Sequence, residues 1–416
     1  MRGLGAVGSG SSSPSSLSGA PARAIRLAFS AFYGADASAP AGTAPLNTPP
    51  PAAVPPPPPS ISDAPFIVAA AELRSGDAGA GPQPPPLTLL PAPSASSPAS
   101  EQLAALHAFT ITNDYYTFTC EFLQSALLNG VVPHVVGFGG HEGSLPSGVA
   151  FRWGLGKPIL ALRRPIEALA ARLGGDVLVL IADAHDSLLA VPGAALVRKF
   201  RAVQARAPLT RVLISAERSC FPIEEADCAR FPPAPDELPY RNLNSGGWMG
   251  AARHVLDVLD AVELMYPGGI DAANVNDQAA LQYLYIDAFA RRLLGLQLDY
   301  ANEVFMAMHM AQAETAAHAA APGRVCNTLS GSCPALLHFN GGSKSQQAAI
   351  DAALLTTRAL EAPGAAPLRR ELAAYHLPEL EMSFRDFCCD PRWTNPGAFN
   401  KVPVRHMRCD KGDVGD

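Results

Sequence analysis

The chain has 416 residues, 31 Lys and Arg against 37 Asp and Glu, a net charge of -6 and eight cysteines. It contains no block of basic residues, which excludes a nucleic-acid surface built on clustered phosphate contacts and points to small-molecule or protein substrates. No run of about 18 apolar residues occurs, so no membrane-spanning helix is expected.

Residues 1–100 carry only eight charged and four aromatic side chains, with PPPAAVPPPPPS at 49–60. Such a segment buries too little apolar surface to offset its ordering entropy, and it is expected to be disordered or polyproline-like. Within it RAIRLAFSAFYGADASA, 23–39, has the basic start, apolar middle and trailing small residues of either a weak secretory leader or a biased tail. The folded part is expected over 101–355, followed by an irregular cysteine-bearing extension over 356–416.

From residue 107 short apolar runs alternate with helical patterns, the mark of an α/β unit with a mostly parallel sheet. HAFTITN reads as a first strand, DYYTFTCEFLQSALLNG as a helix ending at Gly130, and VVPHVVGFGG as a second strand. GKPILALRRPIEALAARLGG is helical, with Gly174 and Gly175 as its stop. DVLVLIAD is the strongest strand. PGAALVRKFRAVQAR is a helix opened by proline, and RVLISAE is a fourth strand. Past a Pro- and acid-rich loop, the NSGG of LNSGGWMG suits a tight turn against a ligand, because glycine permits close backbone approach. AARHVLDVLDAV and NDQAALQYLYIDAFARRLL are helices, the second with Asn276 or Asp277 placed to cap it. LQLDYANEVF and ALLHFNGG close the core as short strands.

The spacing of Cys220/Cys228 and Cys326/Cys333 suits short disulfide loops in an oxidising compartment, free thiols in a reduced one being the alternative. No CxxC pair suggests zinc.

Asp183 and Asp186 stand where the strongest strand ends, and ligands of open α/β sheets sit beyond such carboxyl ends. Two adjacent carboxylates repel, and a divalent cation resolves the repulsion; carboxylates suit the hard ions Mg²⁺ and Mn²⁺. Capping of the next helix is the competing explanation. His338 also ends an apolar run, and an imidazole can complete a carboxylate-rich Mn²⁺ site. With Lys344 or Lys157 near the phosphates, the set reads as a nucleotide-diphosphate site.

These residues belong to an ordered series: DAHD at 183–186, SAERSCFP at 215–222, LNSGGWMG at 243–250, VNDQ at 275–278, LQLDYANEVF at 296–305 and HFNGGSK at 338–344. The series resembles the glycosyltransferase domain of the procollagen lysyl hydroxylases, with procollagen galactosyltransferases as more distant relatives. The resemblance implies a GT-A fold: a Rossmann-like nucleotide half with a mixed, mostly parallel sheet flanked by helices, joined to an acceptor half. It implies that Asp183, Asp186 and His338 bind Mn²⁺ and, through it, the diphosphate of UDP-glucose or UDP-galactose. Asn244, Ser245 and Gly246 would line the sugar pocket with Trp248 beside it, Gly341 and Lys344 would serve the donor from HFNGGSK, and Asp277 would face the transferred sugar or the acceptor. Asp277 and Asn244 are thus the candidate catalytic residues. His185 replaces a tyrosine whose ring could stack on uracil, and a histidine can still stack with less apolar area. The family's long acidic run is reduced to AANVNDQ, and with no H-x-D pair the accompanying iron- and 2-oxoglutarate-dependent hydroxylase domain is not expected.

The resulting expectation is a metal-dependent transferase moving a hexose to a hydroxyl of a protein or glycoprotein, hydroxylysine or galactosyl-hydroxylysine, in the secretory pathway. A domain that binds sugar nucleotides or glycans without turnover and a nucleotide-sugar hydrolase are the alternatives.

Overall fold

The computed structural model describes residues 106–112, 117–137, 157–266, 276–317, 324–354, 360, 364–377 and 380–389. The expected disorder of 1–100 and the leader-like segment 23–39 lie outside them. So does the segment that replaces the acidic run, up to residue 275.

The strands and helices follow the alternation in the sequence. In order they are β1 (Leu106–Ile111), α1 (Thr117–Leu128), β2 (Val131–Val136), α2 (Lys157–Leu173), β3 (Leu178–Asp183), β4 (Ser187–Leu189) and α3 (Gly193–Arg206). There follow β5 (Val212–Glu217), α4 (Glu225–Cys228), β6 (Asn242–Ala251), α5 (Ala252–Met265), α6 (Asp277–Ile286), α7 (Ala288–Leu294), β7 (Leu296–Asp299) and β8 (Phe305–Ala307). The last are β9 (Thr315–Ala317), β10 (Val325–Asn327), β11 (Leu336–His338), α8 (Lys344–Ala353), α9 (Ala366–Ala374), β12 (His376–Leu377), β13 (Met382–Ser383) and α10 (Phe384–Cys388).

The main sheet has the order β2-β1-β3-β6-β5-β7. Its pairings are parallel except for β6, which runs antiparallel to both β3 and β5. The sheet is therefore mixed and mostly parallel, flanked by helices, as expected. The unbroken apolar run of β3 suits a central strand covered on both faces. Leu180 and Ala182 join Leu106, Ala108, Leu213 and Met249 in one buried cluster with Phe122, Leu196 and Phe200. Val179 and Ile181, one residue out of phase, are equally buried. Burial of a side chain such as Leu180 contributes about 1.5–3 kcal/mol. α2 and α5 are tied together by Arg163, which bonds Asp260 at 2.6 Å and Glu263 at 2.9 Å.

A second sheet, β4-β11-β8, stands beside the carboxyl end of β3. β11 lies antiparallel to β4, pairing His338 with Ser187, and parallel to β8, pairing His338 with Ala307. This register carries His338 to the residue next to Asp186, and the Phe339 amide donates to the Asp186 carbonyl at 2.6 Å.

Three expectations are corrected. NSGG is not a turn: it lies inside β6, whose pairing jumps from Ile214–Trp248 to Ser215–Asn244, so that residues 245–247 form an irregularity within a ten-residue strand. The helix over 276–294 is two helices, because Asp287 leaves helical geometry and caps α7, its side chain accepting from the Ala290 amide. The extension past 355 is not wholly irregular: α9, the β12–β13 pair and α10 place Leu372, Leu377, Phe384 and Phe387 in the core cluster. A disulfide between Cys120 on α1 and Cys388 on α10 joins this segment to the rest. The pairs Cys220–Cys228 and Cys326–Cys333 are also bonded.

Candidate metal centre

β3 ends at Asp183, a turn carries Asp186, and β11 brings His338 across to them. The Nε2 of His338 lies 3.4 Å from Asp183 Oδ2 and 3.1 Å from Asp186 Oδ1. The three offer ligand atoms that all lie within 4.8 Å of one another, the one such group of His, Cys, Asp and Glu among the described residues. Asp183 faces solvent, while Asp186 and His338 are buried. Lys344, the first residue of α8, reaches Asp186 Oδ2 at 3.0 Å.

The electrostatics are those of a site short of positive charge. Burial by itself would lower the His338 imidazole, but Asp186 and Asp183 outweigh it and push it up to about 10. Burial would raise the Asp186 carboxyl, yet His338 and Lys344 hold it well below the usual carboxylate range. The extra proton on His338 thus compensates two carboxylates, the role that a divalent cation fills in such a donor set. Two carboxylates and an imidazole form a hard, oxygen-rich set suited to Mn²⁺ or Mg²⁺. Space is kept for the ring by Gly246, where a Cβ would sit 2.0 Å from His338 Cε1. The residues present fit a cation.

Behind the ligands lies a buried polar network. Asn244 Oδ1 accepts from His338 Nδ1 at 2.8 Å and from the Gly246 amide at 3.0 Å, and its Nδ2 donates to Glu217 Oε1 at 3.1 Å. Glu217, at the end of β5 and 1% exposed, also accepts from Gln278 Nε2 at 3.1 Å, Asn340 Nδ2 at 2.8 Å and Ser219 Oγ at 3.1 Å. Burial pushes the Glu217 carboxyl up, opposed by the Asn244 hydrogen bond, the charge of His338 and the bonds from Asn340 and Ser219. Glu217, Gln278 and Asn340 were not among the residues singled out in the sequence. The signal for Glu217 was present, because SAE ends an apolar strand with an acid just as LIAD does.

The other expected residues distribute unevenly. Ser245 is tied through its amide and hydroxyl to Gln278 Oε1, at 3.1 and 3.3 Å. Gly341 has a positive φ of 57°, and a Cβ there would lie 2.8 Å from His309 Nδ1, so glycine lets the HFNGG loop close against that ring. His309 in turn receives a hydrogen bond from the Gly342 amide at 3.4 Å and donates its own amide to Asn340 Oδ1 at 3.0 Å. His185 meets Thr119 Oγ1 at 3.3 Å through Nδ1. Asn276 caps α6, accepting from the Ala279 amide at 3.2 Å, while Asp277 is the first helical residue and accepts from the Gln278 amide at 2.8 Å. Burial, with the charge of Asp183 adding to it, pushes the Asp277 carboxyl up to about 7. Lys157 opens α2, and its side chain lies outside the described residues.

Two of the expected residues are buried. Trp248 is 2% exposed and registers between Ile181 and Ile214 inside the sheet, where the continuing strand turns its ring into the core. Asn244 is buried as well. It is 2% exposed, with its amide committed to His338, Gly246 and Glu217.

Comparison with known proteins agrees with the ordered motifs. The family described as the PLOD GT domain matches residues 102–354. The chain belongs to this family, the glycosyltransferase domain of procollagen lysyl hydroxylase type. It is 29% identical over 269 residues to the multifunctional procollagen lysine hydroxylase and glycosyltransferase LH3 of Homo sapiens, a match covering 63% of this chain and 34% of that protein. It is 28% identical over 198 residues to human procollagen-lysine,2-oxoglutarate 5-dioxygenase 1, covering 46% and 24% respectively. The chain spans about a quarter to a third of the length of these curated relatives. A solved glycosyltransferase involved in glycosylation of the major capsid of PBCV-1 overlaps 58% of this chain and 96% of its own, at 8% identity and a TM-score of 0.34. Among the described residues no helix is long and apolar enough to cross a membrane.

Proposed function

We propose that this domain transfers a hexose from UDP-glucose or UDP-galactose to a hydroxyl of a protein acceptor, hydroxylysine or galactosyl-hydroxylysine, and that Mn²⁺ is its cation. The observation that carries this reading is the convergence of Asp183, Asp186 and His338 at the carboxyl end of β3. The family supports the donor and acceptor classes.

In this reading Asp183, Asp186 and His338 hold the cation, which supplies charge neutralisation to the diphosphate leaving group. Lys344, exposed and adjacent to Asp186, adds a second positive charge for the same phosphates. Ser245, held by Gln278, and Gly246 orient the donor beside them. Asp277, whose carboxyl is pushed up chiefly by burial, faces the acceptor hydroxyl in this reading. Positioning of that hydroxyl against the anomeric carbon lowers the barrier by removing the entropy of encounter. Disulfides at Cys120–Cys388, Cys220–Cys228 and Cys326–Cys333 favour the oxidising secretory pathway as its compartment.

The test is UDP release from UDP-glucose and UDP-galactose with Mn²⁺, with and without a hydroxylysine-bearing collagen peptide. Acceleration by the peptide, lost in Asp183→Ala/Asp186→Ala, is the expected result. UDP release that no acceptor accelerates would mark a hydrolase instead, and UDP binding without turnover would mark a sugar-nucleotide-binding domain.

A further inference from the structure

We propose that Glu217 is a positioning residue for the metal ligand His338, acting through the amide of Asn244. The proposal rests on the reading of Asp183, Asp186 and His338 as a cation site.

Glu217 cannot work on substrate directly. It is 1% exposed, and its two oxygens accept four hydrogen bonds, from Asn244 and Gln278 on Oε1 and from Asn340 and Ser219 on Oε2. All four donors are neutral, and together they use its acceptor capacity. What it does is dictate the direction of the Asn244 amide. An ionised carboxylate only accepts, and the Gly246 amide on the other side of Asn244 only donates. One orientation satisfies both neighbours: Nδ2 toward Glu217 and Oδ1 toward Gly246. The reversed amide would set oxygen against carboxylate and N–H₂ against N–H. With Oδ1 fixed, His338 Nδ1 at 2.8 Å must carry a proton and donate it. The ring is then locked with Nε2 facing Asp183 and Asp186, the nitrogen that a cation needs unprotonated. The relay therefore chooses which nitrogen of His338 serves as ligand, although Glu217 and His338 are 121 residues apart in the chain.

The experiment uses the full chain with its disulfides intact. Mn²⁺ affinity is measured by titration calorimetry for the wild type, Glu217→Gln and Ser219→Ala. In parallel, exchange of the His338 Nδ1 proton is followed by NMR on metal-free protein labelled with ¹⁵N-histidine. An amide at position 217 presents both a donor and an acceptor and so no longer enforces the Asn244 orientation. Glu217→Gln is expected to weaken Mn²⁺ binding about tenfold and to speed the Nδ1 exchange, whereas Ser219→Ala, which removes one hydrogen bond to Glu217 Oε2 and leaves the Oε1 bond to Asn244 in place, is expected to change affinity by less than about twofold. Should Glu217→Gln fail to fold, Asn244→Ser breaks the same relay and carries the same expectation. The proposal is overturned if breaking the relay leaves both readouts unchanged, or if Ser219→Ala reproduces its effects. If the wild type takes up no Mn²⁺, the cation reading falls, and the Nδ1 exchange still decides the relay.

Discussion

Gly246 shows how one missing side chain shapes the site. Its φ is unexceptional, so the need for glycine is steric: a methyl group there would overlap the His338 ring, with contacts of 2.0 to 2.6 Å. That ring is pinned by Asn244 on one side and the two acids on the other, so it has little freedom to yield. Gly246→Ala is therefore expected to cost about 1–3 kcal/mol of stability by overpacking. It should also abolish Mn²⁺ uptake at concentrations that saturate the wild type, both outcomes being measurable by denaturant titration and calorimetry. At the same scale the sequence exposed the two acids, because charge at the end of an apolar run is visible by inspection. It did not expose Glu217 as their support, because an acid at the end of an apolar run reads the same whether it accepts four hydrogen bonds or binds a cation.

At the scale of elements, β7 and β8 are joined through one carboxylate. Asp299 at the end of β7 accepts from the amides of Glu303, Val304 and Phe305, at 3.0, 2.7 and 2.8 Å, and so sets the start of β8, the strand on which β11 and His338 are registered. Burial pushes the Asp299 carboxyl up to about 6 from the ordinary 3.8, against those three backbone bonds. The native state then holds this proton more tightly than the unfolded chain does. The contribution to stability is fully present below pH 3.8 and is lost as pH rises through about 6. Urea-unfolding free energies of the wild type should show that loss between pH 4 and pH 7, and those of Asp299→Asn, which cannot ionise, should lack it. Asp299→Ala, leaving three amides without their acceptor, should cost about 3 kcal/mol near pH 4, the difference from the wild type shrinking as pH rises toward 7. The LD strand was legible as a strand. The carboxylate's three partners lie four to six residues further along, inside a turn whose geometry no periodicity reports.

For the whole molecule, the Cys120–Cys388 disulfide closes a loop of 268 residues and ties the C-terminal elements to α1. Cross-linking so distant a pair restricts the unfolded chain strongly, and Cys388→Ser is expected to cost about 4 kcal/mol, read as a lowered calorimetric Tm under non-reducing conditions. Binding of a cation to the native site acts on the same balance. Mn²⁺ at one hundred times its Kd should stabilise the wild type by about 2.7 kcal/mol and leave Asp183→Ala/Asp186→Ala unshifted. The sequence by itself determined the strands and helices of the α/β unit and, through the order of its motifs, the family. Both follow from local patterns: apolar period, capping residues, and acids and glycines at fixed spacing. Only the tertiary structure decided that His338 meets Asp186, because that contact depends on the antiparallel register of β11 on β4 across 152 residues of chain. It alone also turned Trp248 into the core, ran NSGG as part of a strand, and brought Leu372, Leu377, Phe384 and Phe387 into the core cluster. Each of these is set by what packs against the segment, information that the segment's own residues do not carry.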